Sequence, residues 1–230
     1  MTKWKRSQAF INVALPFVRG LFQLTGGLRG YGEENIPREG GVILAPNHRS
    51  WADPPVIFLT TRRRSWYMAN EYLFNIAILG KLIPMVGAFP VRRGAIDRES
   101  LRTAEAHLKE GDLLCVFPEG GTTVTGTLFY PLEGGVALLA MRANVPIVPV
   151  AITGSDAVLN SKFPYFHHHR GGVTVTYGKP LYPDQLFQDV PRKERMDLLT
   201  ELLWDKIAEL LPPEYVPAEK PKRPGTESAR

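Results

Sequence analysis

The 230-residue sequence predicts an α/β fold, with a mixed, mostly parallel central sheet flanked by helices and an amphipathic N-terminal helical segment. Three observations predict it. From residue 41 onward, short apolar runs alternate with helix-length segments, which is the pattern of a sheet covered by helices on both faces. Polar residues follow several of the apolar runs, where ligands gather in such sheets. In the first 24 residues, five polar side chains fall on one narrow helical stripe beside a wide apolar face that only Lys3 and Arg6 interrupt near its start.

The N-terminal segment "MTKWKRSQAFINVALPFVRGLFQL" is predicted to be a helix that Pro16 would kink. It either packs its apolar face on the protein's own core or lies in a membrane surface, with its cations meeting lipid phosphates. Neither an A-x-A cleavage site nor 18 uninterrupted apolar residues occur, so no signal peptide or transmembrane helix is predicted. The apolar face comprises Trp4, Ile11, Leu15, Val18 and Phe22, and the polar stripe comprises Lys5, Gln8, Asn12, Arg19 and Gln23.

The rest of the chain is predicted to form six strands and five helices in alternation. The helix that starts at Asp53 has proline in its first turn. Gly111 ends the polar helix predicted over 97–110. We expect three parts: an N-terminal membrane-associating segment (1–30), a main domain (31–211) and a proline-rich, basic, disordered tail (212–230). The strands are expected near 41–47, 65–69, 87–91, 112–117, 145–152 and 173–178, and the helices near 53–61, 72–82, 97–110, 134–145 and 192–211.

Composition narrows the classes of partner. The net charge of +5 and the pI of about 9.3 indicate anionic partners. The basic residues are scattered without an aromatic-basic recognition motif, so no nucleic acid is expected. The single cysteine, Cys115, excludes an internal disulfide and is expected to be a buried, inert thiol. The run "HHHR" at 167–170 lacks the ligand spacing of a metal site and is expected in a loop facing solvent or lipid.

A histidine and an aspartate lie beyond the first long strand, in "VILAPNHRSWADPP". His48 and Asp53 are five residues apart and would not share a face of one helix. A strand–turn–helix arrangement would let the Asp53 carboxylate contact one imidazole nitrogen and leave the other free. The pair could then take a proton from a hydroxyl. Asp53 before proline is also typical of a helix N-cap, and that alternative stays open.

Two further strand ends carry polar residues. Glu119 follows a buried strand in "VFPEGGTT", in a turn that Gly120 and Gly121 allow to approach a ligand closely. Arg92 and Arg93 follow a short apolar segment in "VGAFPVRRG", and two guanidinium groups suit a phosphate. The sequence contains no P-loop and no G-x-S-x-G motif, which disfavours a P-loop NTPase and a serine hydrolase.

These segments resemble the four conserved blocks of the glycerolipid acyltransferases, the family that includes 1-acylglycerol-3-phosphate acyltransferase. "NHRSWADP", "GAFPVRRG", "FPEGG" and "VPIVPV" occur in the family's order between residues 47 and 150. The resemblance implies transfer of an acyl chain from acyl-CoA or acyl carrier protein to a hydroxyl, without an acyl-enzyme. It implies that His48 acts as the base, that Asp53 orients it, that Arg93 binds acceptor phosphate and that Glu119 positions the acceptor's polar head.

Two positions depart from the family pattern. The third block commonly reads F-P-E-G-T-R-S, whereas here Gly121 stands at its threonine position and Thr122 at its arginine position. Upstream, Asn70 stands where the family often has a lysine. Both changes remove positive charge. Either the Gly120 and Gly121 amides, the threonine hydroxyls and Arg93 hold the phosphate as a backbone nest, or the acceptor is not a simple lysophosphatidic acid. Because Pro54 and Pro55 lack N–H groups, we expect the oxyanion donor in the glycine turn or the Asn47 side chain.

The sequence therefore predicts an O-acyltransferase of phospholipid biosynthesis. Its substrates would be an acyl thioester and a lysophospholipid, most simply 1-acylglycerol-3-phosphate. No metal and no cofactor beyond the acyl-CoA or acyl carrier protein co-substrate is expected, and the enzyme is expected to be peripheral on the cytoplasmic side of the membrane. The alternatives are a different lipid acceptor, a thioesterase that uses the same residues on water, and a non-enzymatic lipid-binding scaffold.

Overall fold

The computed structural model describes residues 5–92, 98–123, 126–159 and 165–220. Its centre is a seven-stranded sheet in the order β1-β7-β6-β2-β5-β3-β4. All neighbouring strands pair in parallel except β6 and β7, which are antiparallel, so the predicted mixed, mostly parallel sheet is confirmed. The strands are β1 (Leu28–Tyr31), β2 (Val42–Pro46), β3 (Ser65–Asn70), β4 (Ala88–Val91), β5 (Leu113–Cys115), β6 (Ile147–Thr153) and β7 (Val173–Tyr177).

Helices cover both faces of this sheet. Side chains alternate between the faces along each strand, so Val42 and Leu44 of β2 join one buried cluster, while Ile43 and Ala45 join the other. The first cluster is completed by α1 and α2 and the second by α4, α5 and α7. The helices are α1 (Gln8–Leu24), α2 (Asp53–Thr60), α3 (Leu79–Met85), α4 (Arg98–Lys109), α5 (Gly135–Ala143), α6 (Ser155–Val158) and α7 (Arg192–Leu210).

The N-terminal helix α1 has two apolar faces. The face predicted from the sequence packs on the core, with Ile11 and Phe22 buried. A second stripe, comprising Val13, Phe17 and Leu24, is exposed to solvent. The helix continues through Pro16, which lies on the exposed side together with Asn12 four residues earlier, where water can satisfy the freed carbonyl. No helix in the described part of the chain is long and apolar enough to span a bilayer.

The helix predicted over 72–82 is wrong in its extent. The structure has a 3₁₀ helix at Glu71–Asn75 and then α3 at Leu79–Met85. The Asn70 side chain accepts a hydrogen bond from the Tyr72 amide and starts the first turn, and Ile76 is extended and ends it. Gly80 then permits a close crossing, because a Cβ there would lie 2.1 Å from the Phe74 carbonyl oxygen.

The segments at both ends of the main domain form secondary structure that bonds to the rest of the domain, which the sequence did not predict. Strand β1 was not predicted, spans the boundary expected at residue 30 and pairs with β7. Residues 212–220 were assigned to a disordered tail, yet Pro213–Tyr215 forms a 3₁₀ helix. The Tyr215 carbonyl accepts from the Leu128 amide, and its hydroxyl accepts from the Gly154 amide. Residues 221–230 lie outside the described part of the chain.

Candidate active site

The candidate site lies at the carboxyl edge of the sheet, where three central parallel strands end side by side. His48 follows β2, Glu119 follows β5 and Asp156 follows β6. Strand order explains this grouping, because β5 and β6 are the two neighbours of β2 although they are distant from it in sequence. Such an edge is where open α/β sheets bind ligands.

The structure confirms the predicted contact between His48 and Asp53. The imidazole Nδ1 lies 2.8 Å from Asp53 Oδ2, across a turn that joins β2 to α2. The same carboxylate oxygen accepts hydrogen bonds from the amides of Arg49 (2.7 Å) and Ser50 (2.8 Å). Asp53 is fully buried, whereas 15% of the His48 side chain remains exposed. The carboxylate therefore holds the turn and orients the ring at the same time.

This geometry decides against the N-cap interpretation of Asp53. Ala52 occupies the cap position and Asp53 is the first residue of α2. A capping side chain accepts from amides within the first helical turn, whereas Asp53 accepts from amides that precede the helix. Asp53 Oδ1 is buried and makes no hydrogen bond with the described residues.

The plane of the His48 ring is set by an aromatic neighbour. Phe117 stacks on the imidazole, with ring centroids 4.0 Å apart and an interplanar angle of 25°. Within the described residues, Nε2 of His48 has no hydrogen-bond partner and is the ring nitrogen left for a substrate. Phe117 was not singled out from the sequence, although it precedes Glu119 in the "FPEGG" block.

Glu119 contacts the histidine segment, not open solvent. Oε1 accepts from the His48 amide at 2.6 Å. Oε2 accepts from the Thr123 hydroxyl and from the Phe129 amide. The residue is only 8% exposed. Burial raises the pKa of the Glu119 carboxyl above its ordinary value of 4.5, and the hydrogen bonds from Thr123, His48 and Phe129 oppose that rise. Hydrogen bonds from the protein thus reach both carboxylate oxygens, and the predicted contact of Glu119 with the acceptor's polar head stays a prediction.

Arg49 stabilises the turn between His48 and Asp53 and was also missed by sequence reasoning. Its guanidinium donates to the Asp156 carboxylate and to the Gly126 carbonyl, and it lies 4.3 Å from the centroid of the Tyr215 ring. Ser50 adds a second tie, because its hydroxyl donates to the Leu159 carbonyl. No local motif marks these contacts, since the partners lie about 80 to 170 residues away and are brought close only by the fold.

The remaining predicted ligands have mixed outcomes. Asn47 was expected as an oxyanion donor, but its carboxamide is buried and pairs with the amide and carbonyl of Ile152, so it joins the end of β2 to β6. Gly120 has φ +69°, and its amide donates to the Phe117 carbonyl. Gly121 and Thr122 lie half-buried in the same turn.

Of the two arginines after β4, Arg92 lies within the described residues. The Arg92 guanidinium lies 3.0 Å from the Glu71 carboxylate in an exposed ion pair. An exposed pair contributes little to stability and exchanges readily with other anions. Arg93 lies outside the described residues, so its predicted phosphate contact stays a prediction.

The described residues contain one group with metal-ligand proximity, and it is remote from the site. His107, Glu110 and Asp112 lie near the start of β5, whereas Glu119 follows its end. The Arg6 guanidinium is 3.6 Å from Asp112 Oδ1 and opposes a cation there. Cys115 is fully buried, and burial together with the nearby Asp53 charge raises the pKa of its thiol, which suits an inert side chain.

A comparison with protein families identifies the class of enzyme. A family model described as "Acyltransferase" matches residues 27–153, more than half of the chain. The chain belongs to this acyltransferase family. It is therefore an O-acyltransferase, and the resemblance noted in its four sequence blocks is confirmed.

Individual relatives of the family agree. The chain is 32% identical over 193 residues to the 1-acyl-sn-glycerol-3-phosphate acyltransferase of Bacillus subtilis, covering 83% of this chain and 91% of that protein. It is 33% identical over 138 residues to the enzyme of the same name from Streptococcus pneumoniae, covering 58% of this chain and 50% of the relative. The crystal structure of the 1-acyl-sn-glycerophosphate acyltransferase of Thermotoga maritima superposes with a TM-score of 0.67 at 24% identity, covering 86% of this chain and 80% of that one, which supports the fold.

Proposed function

We propose that this acyltransferase transfers a fatty acyl chain from an acyl thioester, acyl-CoA or acyl carrier protein, to the hydroxyl of 1-acylglycerol-3-phosphate in phospholipid biosynthesis. The observation that carries the proposal is the His48–Asp53 pair, joined at 2.8 Å beside the ends of the central strands in a chain of this family. The names of the Bacillus and Streptococcus relatives support the acceptor.

In the proposed reaction, His48 Nε2 takes the proton of the acceptor hydroxyl as its oxygen attacks the thioester carbonyl. A C–O bond forms, and the tetrahedral intermediate collapses by breaking the C–S bond. The leaving thiolate takes the proton back from His48. Asp53 stabilises the imidazolium that exists between these steps, because its buried charge lies against Nδ1. General-base assistance of this kind contributes about 10² to 10⁴ in rate.

The proposed mechanism needs no covalent acyl-enzyme. The side chain that best accepts acyl groups from thioesters is a thiolate, and Cys115 is buried with a raised thiol pKa. The sequence predicts that the oxyanion of the tetrahedral intermediate accepts from the glycine turn or from Asn47. Asn47 and the Gly120 amide already donate to carbonyl oxygens within the protein, so the Gly121 amide is the remaining candidate donor.

The part of the site expected to bind the acceptor's phosphate departs from the family pattern, because Thr122 and Asn70 stand where that pattern carries cations. An unphosphorylated lipid acceptor is therefore the second candidate. Under the first candidate, Arg92 would exchange Glu71 for the phosphate, together with Arg93 from the same segment. Under the second, neither arginine would affect the acceptor KM.

We also propose that the enzyme is peripheral on the cytoplasmic side of the membrane, held by α1. The support is the exposed stripe Val13, Phe17 and Leu24, which lies opposite the face that packs on the core. Further large apolar side chains, Tyr72 and Ile78, are exposed on the segment around α3, which packs against α1. Apolar side chains exposed together on neighbouring helices are typical of interaction surfaces.

The experiment that tests the proposed function is lipid mass spectrometry of reactions with mixed donors and acceptors. Purified enzyme is given acyl-CoA or acyl carrier protein, with 1-acylglycerol-3-phosphate, its dephosphorylated counterpart or no acceptor. The proposal predicts diacylated phosphate product that disappears with His48→Ala. Preference for the unphosphorylated acceptor would favour the second candidate, free fatty acid in all reactions would indicate a thioesterase, and no turnover would indicate a scaffold.

A further inference from the structure

Glu119 and Thr123 enclose the backbone of His48 from both sides. The carboxylate of Glu119 accepts from the His48 amide at 2.6 Å, and the Thr123 amide donates to the His48 carbonyl at 2.7 Å. The Thr123 hydroxyl then donates to the other carboxylate oxygen of Glu119. The three residues thus form a closed ring of hydrogen bonds that engages both polar backbone groups of the histidine.

We propose that Glu119 and Thr123 are positioning residues that fix the His48 main chain, and that they do not bind the acceptor. The inference rests on the proposed role of His48 as base. It changes the role that the sequence resemblance implies for Glu119, and it gives Thr123 a different role from the phosphate binding considered for the two threonine hydroxyls.

The burial of Glu119 and the hydrogen bonds that its carboxylate already accepts support a positioning role. Both oxygens of Glu119 are occupied by donors from three separate protein positions, His48, Thr123 and Phe129. These donors fill three of the about four lone-pair sites of a carboxylate, and the side chain is buried, so little capacity is left for a substrate hydroxyl. The glycine after it is also constrained, because a Cβ on Gly120 would lie 2.1 Å from a Glu133 carboxylate oxygen.

The ring of hydrogen bonds around the His48 main chain complements the contacts made by its imidazole. Asp53 fixes the Nδ1 position and Phe117 fixes the plane of the ring, but neither restrains the amide or carbonyl of the residue. A catalytic base must be held within a fraction of an ångström of the reacting hydroxyl. The hydrogen bonds from the β5 turn supply the missing restraint on the main chain.

The test compares Thr123→Val, which replaces the hydroxyl with a methyl group of similar size, with Thr123→Ser, which keeps it. Thr61→Val is the matched control, since the Thr61 hydroxyl also makes one hydrogen bond, to the Ile57 carbonyl, at the far end of α2. Values of kcat and of KM for both substrates are measured per folded enzyme, with folding followed by near-ultraviolet circular dichroism.

The proposal predicts that Thr123→Val lowers kcat by about 10- to 100-fold with KM for the acceptor changed less than about threefold. Thr123→Ser should restore most of the rate, and Thr61→Val should behave as wild type. A Thr123→Val enzyme with wild-type kcat would overturn the proposal, as would a loss confined to the acceptor KM. Wild-type transfer and its loss in His48→Ala test the proposed function separately, so the two failures are distinguishable.

Discussion

The substitution Asp53→Asn separates the proposed orientation of His48 as a base from the stability of the fold. The asparagine carbonyl can occupy the position of Oδ2 and keep the hydrogen bonds from His48, Arg49 and Ser50, but the negative charge is lost. Opposite unit charges about 4 Å apart attract by about 4 kcal/mol at an effective dielectric constant of about 20, and here the donor and acceptor are 2.8 Å apart.

Because the asparagine carbonyl dipole keeps part of this attraction, we expect the imidazolium-like transition state to lose about 3 to 4 kcal/mol of stabilisation, which corresponds to a fall of about 10²- to 10³-fold in kcat. KM should change by less than about threefold, since Asp53 is fully buried and has no access to substrate. The assay is steady-state transfer of a labelled acyl chain, with melting temperature measured in parallel.

The chain provides its own matched control in Asp112→Asn. His107 and Asp112 have the same five-residue separation and the same 2.8 Å contact between Nδ1 and Oδ2, but they lie at the opposite end of the strands. Asp112→Asn should leave kcat unchanged and lower the melting temperature. If Asp53→Asn instead kept its kcat and lost mainly melting temperature, the proposed catalytic role of Asp53 would be refuted.

Three further predictions follow from individual contacts. Burial would raise the pKa of Asp112, but the hydrogen bond from His107 and the Arg6 charge outweigh it and hold this pKa below its ordinary 3.8. The stabilising contribution of Asp112 is therefore complete above pH 3.8 and is lost as the pH falls through the lower pKa of the folded state. In urea titrations, the unfolding free energies of wild type and Asp112→Asn should differ by about 1 to 2 kcal/mol at pH 7 and by less in acid, and a difference that grew in acid would contradict this assignment. Phe17→Asp should weaken binding to anionic phospholipid vesicles by at least about 30-fold, since Phe17 is 76% exposed and burying such a side chain in the membrane contributes about 2 kcal/mol. The control Leu198→Asp, on α7, should bind vesicles like wild type. Equal effects of the two substitutions would place the membrane contact elsewhere. Gly120→Ala, at φ +69° with Glu133 in the way, should lower kcat and melting temperature together, and wild-type values for both would show that the turn can relax.

Deletion of the N-terminal segment would be a poor test of membrane binding. Ile11 and Phe22 of α1 are buried in the core, so removing residues 1–25 would expose apolar surface on the main domain. Substitution of the exposed stripe leaves that packing intact and isolates the surface contribution.

Much of the sheet could be predicted because its strands are buried on both faces and appear as continuous apolar runs. Strand β1 escaped this criterion, since its sequence "LRGY" is short, mixed in polarity and mostly exposed. The segment 72–82 has the composition of a helix, but the Asn70 side chain and the close contact at Gly80 divide it. Both are effects of particular contacts that residue periodicity does not record.

The site was predictable in its local pair and not in its long-range supports. The spacing of His48 and Asp53 alone is not specific, because His107 and Asp112 repeat it, with the buried His107 ring stacked against Trp66 and Phe89. What distinguishes the first pair is its place after a central strand.

The supporting contacts depend on the order of the strands. The sequence indicates Thr123 only as one of two hydroxyls that could hold phosphate, and no motif in it marks Arg49. Their contacts with His48 and Asp156 arise because β5 and β6 flank β2, which periodicity along the chain does not show.

The most direct test of the account is chemical rescue of His48→Ala. We expect this variant to melt within a few degrees of wild type, to transfer acyl groups at least about 10²-fold more slowly, and to regain part of its rate when imidazole is added to the assay, in proportion to the neutral imidazole present. A His48→Ala enzyme that kept most of its activity without imidazole would contradict the assignment of His48 as the base.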